Sequence, residues 1–143
     1  TPSTDVTGTL AARSTSQAYA IAGTIFAVGD GTDATGKKGD TFTIGGTNKY
    51  ELVSSATSLT DGKTSGGNFG IVVGANPSAS AVAEALANSG ITGLTASGST
   101  LTYTVPGVTA GTITVAKGDA AIDINGKPIA SDAAAGPSGT AST

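Results

Sequence analysis

Threonine alternates with apolar residues along much of this chain, and a period of two dictates strands. In Thr41-Phe42-Thr43-Ile44 and in Thr100-Leu101-Thr102-Tyr103-Thr104-Val105, one face is apolar and the other carries hydroxyls. Gly and Pro cut these runs short: 22 Gly and 5 Pro in 143 residues leave room for brief strands joined by turns. The core available to such strands is lean. Ala supplies much of the 38% apolar share, so three Phe, three Tyr and scattered Ile, Val and Leu must fill it. Thin sheets with one buried face suit that supply better than a thick multilayer enzyme.

The clearest hairpin runs from Asp40 to Val53. Phe42, Ile44, Tyr50 and Leu52 share one face, and Gly45-Gly46-Thr47-Asn48 supplies the turn. Ala18 to Val28 reads as a strand with a bulge at Gly23, and Phe69 to Val73 as a short apolar strand. Leu94 to Val105 reads as two strands turning at Gly98-Ser99 and stopped by Pro106-Gly107. Thr112 to Ala116 is a further strand. Ile122 to Ile129 forms a hairpin about Asn125-Gly126, with Pro128 marking an edge.

A helical period occurs over residues 76–89. Val82 and Leu86 lie four apart, with Ala79 and Ala83 beside them. Asn76 can cap this helix with Pro77 at its first position, or Ser78 can cap it instead. Gly90 is placed to end it in the left-handed conformation. The expected fold class is therefore α+β and β-rich: antiparallel hairpins with one short helix packed on the sheet. Residues 1–17 form a polar N-terminal segment, 18–130 the β-rich domain and 131–143 an Ala/Gly/Ser/Thr linker. Thr1, standing where Met would start a chain, reads as processing or excision from a longer protein.

The residues that usually carry chemistry are scarce. There is no His, Cys, Met or Trp, and only 10 acidic and 7 basic residues. Lys37-Lys38 is the longest basic run, so a nucleic-acid footprint is missing, and no apolar run approaches the roughly 18 residues of a membrane span. Asp30, Asp33 and Asp40 invite a calcium site, but their spacing is loose and turn formation explains them. Asp119 and Asp123 flank a strand as turn and edge residues. Glu51 and Glu84 are the sole Glu pair for glycosidase-type chemistry. Glu84 falls in the first turns of the helix, where its dipole welcomes an acid, and Glu51 alternates outward from Tyr50 and Leu52. Tyr19, Tyr50 and Tyr103 could stack on sugars, yet their alternating positions favour burial at the core edge. No catalytic, cofactor-binding or metal-binding residue is assigned, and no cofactor.

The stretch from Phe69 to Pro106, with "ALANSG" closing the helix and "ITGLTASGSTLTYTVPG" after it, resembles the repeat motif of flagellins and flagellar hook- and cap-associated proteins. The matching positions are Ala81, Val82, Ala85, Leu86, Asn88, Gly90, Ile91, Leu94, Ala96, Leu101 and Val105. With the Asp40 hairpin, the resemblance covers roughly half the chain. No long heptad-patterned helices flank it. The resemblance thus implies an outer, variable domain displayed along an extracellular bacterial filament, with neighbouring subunits as partners and no catalytic residues. A phage virion decoration or tail-fibre domain and a carbohydrate-binding adhesin module are the alternatives, the latter making glycans a further partner.

Overall fold

A computed structural model describes residues 14–107, 109–120 and 131–142, the last five by backbone alone. The elements in order are β1 (Ser14–Ala22), β2 (Thr41–Ile44), β3 (Asn48–Val53), β4 (Phe69–Val72), α1 (Ala79–Ala87), β5 (Leu94–Ser97), β6 (Thr100–Pro106), β7 (Ile113–Ala116) and β8 (Ala134–Ser142). They form two four-stranded sheets, ordered β5-β6-β1-β8 and β4-β3-β2-β7. The protein is β-rich, with one helix among the described residues.

The period-two pattern sets which side chains meet. Phe42, Ile44, Tyr50 and Leu52 all point inward from the β2–β3 hairpin, as expected. Ile71 and Ile113 join them from β4 and β7. Tyr19, Ile21, Leu94 and Leu101 face them from the first sheet. The helix contributes Val82, Ala83 and Leu86, buried residues on one face at helical spacing. It rests on β5, β1 and β6 and also touches β4, so it bridges the two sheets along one flank. On the opposite flank β7 approaches β8. One apolar cluster results, enclosed by two sheets rather than lying under a single one.

Several expectations shift. The helix is capped by Ser78, whose side chain accepts from Ala81 N–H, and the turn after it passes through Gly90 at φ +88°. Glu84 sits past its first turn, which carries no acid, so the dipole does not explain it. The first strand begins at Ser14 and stops at Ala22; Gly23, at φ +108°, ends it instead of bulging it. Asp132 then takes the freed Thr24 and Ile25 amides at 3.0 and 2.8 Å. Residues 134–142, read from composition as linker, form β8 and pair antiparallel with β1. Finally, β3 and β4 run parallel, which the expectation of antiparallel hairpins missed. The Ile122–Ile129 hairpin and Asp123 lie outside the described residues.

Candidate functional site

The outward face of the second sheet is mostly polar: Thr41 and Thr43 on β2 and Lys49 and Glu51 on β3, with Ala116 at the end of β7 beside them. Three segments rise around it. They are the loop 29–39, the turn 64–68 and the residues after β7. Together they enclose an open cleft of about 740 Å³ whose walls include Asp33, Lys38, Asn68 and Asp119.

The loop 29–39 is held against β3 by its backbone. Gly29 N–H donates to Leu52 O at 2.8 Å, and Ser54 N–H returns to Gly29 O at 3.0 Å. Gly39 comes so near the strand that a Cβ there would run into the Leu52 carbonyl oxygen, which reserves the position for Gly.

Carboxylates fasten the remaining turns. Asp119 accepts from Gly36 and Lys38 N–H at 3.0 and 2.9 Å, and these bonds hold its carboxyl below the ordinary range. Asp30 accepts from the Thr32 hydroxyl and amide at 2.6 and 2.9 Å, with the same effect. Asp40 is fully buried. It receives Ala27 N–H, Gly118 N–H and Ser131 Oγ–H at 2.9, 2.8 and 3.0 Å. Its removal from water outweighs those bonds and raises its pKa. Asp30, Asp33 and Asp40 therefore serve different loops and do not converge as calcium ligands would. Among the described residues, no three acidic groups are placed to hold a metal ion.

Glu51 overturns its expected place. It alternates away from the core, yet only 1% of it is exposed, because the loop 29–39 and the turn 64–68 close over it. Its Oε1 accepts from Asn68 Nδ2 at 3.0 Å and its Oε2 from Gly39 N–H at 3.3 Å. Its third neighbour is Asp33, whose Oδ2 accepts from Thr64 Oγ1 at 2.8 Å and Gly66 N–H at 2.7 Å. Burial first, and then the Asp33 carboxyl, raise Glu51 from its ordinary 4.5 to about 7. Burial pushes Asp33 upward too, but hydrogen bonds from Glu51, Thr64 and Gly66 prevail and hold it below its ordinary value.

Glu51 and Glu84 are not brought together: Glu84 lines a separate groove between α1 and β5. The tyrosines are held at the core and its edge. Tyr19 is 5% exposed and its hydroxyl donates to Gly111 O at 2.5 Å. Tyr50 stacks on Phe69 with centroids 5.2 Å apart, and Lys63 Nζ stands 5.0 Å over the Phe69 ring. The sequence does not single out Asn68 or Thr64, and it offers Gly66 only in a Gly66-Gly67 pair that lacks the spacing of a phosphate loop. Their partners lie 17, 31 and 33 residues away, and no short motif spans such distances.

Compared with protein-family models, with curated proteins and with solved structures, the chain gives no match.

Proposed function

We propose that this chain is a non-enzymatic, surface-exposed structural domain of an extracellular bacterial filament, resembling a flagellin outer domain, that acts in display and subunit association. One observation carries the reading. Asp30, Asp33, Asp40, Glu51, Asp119 and Asp132 all accept loop amides, so these six carboxylates serve to fix backbone. Glu51, the one with a pKa near neutrality, is too deeply covered to reach a substrate. Hydroxyls line part of the outward faces: Ser16 and Thr104 bond at 2.7 Å across β1 and β6, and Thr41, Thr43 and Thr114 face outward on the second sheet. The succession of β4, capped α1 and the β5–β6 hairpin has the order of the flagellin-type motif. Contacts between such surfaces are weak singly and gain strength by repetition along an assembly.

Sedimentation velocity over a wide concentration range, with negative-stain microscopy, tests this. Weak, concentration-dependent association is expected. A strict monomer at every concentration, or turnover of a chromogenic glycoside that Glu51→Gln abolishes, overturns it. The hydroxyl- and lysine-lined cleft favours a second reading, a carbohydrate-binding surface module. A glycan array decides that one: binding lost in Lys49→Ala supports it, and no binding removes it.

A further inference from the structure

The cleft contains a polar atom that its surroundings do not satisfy. Asp33 Oδ1 is buried and receives no donor, although Oδ2 of the same carboxyl has two. Buried acceptors normally find a donor. Next to it lies the Glu51 carboxyl, equally shut off from water, with one donor on each oxygen. Two neighbouring carboxylates repel when both are ionised, and one proton between Glu51 and the buried Asp33 Oδ1 supplies the missing donor. The backbone is set for this meeting. Asp33 is held at φ +57°, a conformation that Asp tolerates better than most residues, and a Cβ on Gly66 would collide with the Asp33 carboxylate.

We propose that Asp33 and Glu51 share one proton and act as a latch, tying the loop 29–39 to β3 and to the turn 64–68 while the proton is present. Each anchor belongs to a different segment, and the bond between them reinforces the backbone bonds that already join the three, Gly29 N–H to Leu52 O at 2.8 Å and Ser65 N–H to Gly31 O at 2.9 Å. The other charged groups around the pair are Lys38 on the same loop, Lys49 on β3, and Lys117 and Asp119 beyond β7. Lys63, near the turn, is directed to the Phe69 ring. The lysines draw the pair toward ionisation, and Asp119, engaged by the Gly36 and Lys38 amides, opposes that pull. The latch is independent of the filament reading: it requires no assembly and no ligand.

The sign follows from proton linkage. The latched state binds the proton with a midpoint near 7, and the released Glu51 with an ordinary 4.5. Between those values, opening of the latch therefore grows by up to about tenfold per pH unit, and it levels off above the upper one. The test uses the full chain, with carbon-13 NMR following the Glu51 carboxyl and hydrogen exchange following Gly66 and Gly39 N–H, corrected for intrinsic rates. In the unaltered protein Glu51 should titrate near neutrality, and protection of Gly66 should fall from pH 4.5 to 7.

Asp33→Asn retains an acceptor for Thr64 and Gly66 and offers an N–H to Glu51. It should lower the Glu51 midpoint part of the way, with burial still holding it above 4.5, and shallow the pH dependence of protection to match. Glu51→Gln is the second variant: at pH 8 it should protect Gly66 as well as the unaltered protein does at pH 5. Titration of Glu51 in the ordinary range, or pH-independent protection in the unaltered protein, overturns the latch. Recovery of protection by calcium alone at pH 8 also overturns it, since a cation would then be the natural bridge.

Discussion

A single buried carboxylate, Asp40, holds three separate stretches of chain: Ala27 before β2, Gly118 after β7 and Ser131 before β8. Asp40→Ala would leave two amides and a hydroxyl without an acceptor at a fully buried site. The expected cost is about 3 kcal/mol or more, read by urea unfolding. The pH dependence of stability is set by residues as well. Glu51 and Asp40 have raised pKa values, so their contribution is full below the ordinary carboxylate range and is lost as pH rises. For Glu51 that loss spans 4.5 to about 7. Asp30, Asp33, Asp119 and Asp132 are lowered, so theirs is present above 3.8 and lost as pH falls. The two trends place the highest thermal midpoint between pH 3.8 and 4.5, with a decline toward pH 8 measurable by circular dichroism. Glu51→Gln should flatten most of that decline. None of this was legible in the sequence, where Glu51 has the alternation of a solvent-facing residue. The covering loop, from a dozen residues upstream, and the turn 64–68, from 17 residues downstream, change its environment.

Among the elements, local chemistry was readable and pairing partners were less so. The β2–β3 hairpin follows from alternation and a Gly-rich turn, and the helix from its spacing and the residues that start and stop it. Ser78 rather than Asn76 caps it, and Ser78→Ala should cost about 1 kcal/mol in the same unfolding experiment. Asn76→Ala, outside the cap, should cost much less. The parallel alignment of β3 and β4 was hidden because alternation does not encode direction. Length does: residues 54–68 are enough chain for the crossover that parallel strands require, whereas an antiparallel hairpin needs only a few residues. The same stretch supplies Thr64, Gly66 and Asn68 to the cleft, so the missed crossover and the missed site residues have one cause.

At the level of the whole molecule, composition was a poor guide to where structure stops. Ala134–Ser142 has few residues of high strand propensity, yet at a sheet edge the backbone alone can pair. Pro137 is tolerated there, opposite Tyr19, because one side of an edge strand needs no donor. Removal of residues 134–142 should expose the flank of β1, lower the thermal midpoint and produce soluble aggregates on size-exclusion chromatography. The enclosed core, by contrast, was largely legible: Phe42, Ile44, Tyr50, Leu52 and Leu101 are buried as the alternation requires, while Tyr103 and Val105 are half-buried and Phe69 is exposed. Phe42→Ala, at the centre of that core, should cost about 3–5 kcal/mol.

The first sheet is built from opposite ends of the described chain: Ser16 pairs with Ser142 on one side of β1, and Thr15 with Val105 on the other. A ribosome delivers β1 long before either neighbour exists. During synthesis the early strand has nothing to dock on, and such distant pairings fold slowly. Closure of the first sheet therefore waits for β6 and β8, and it is the late event in the folding of the described residues.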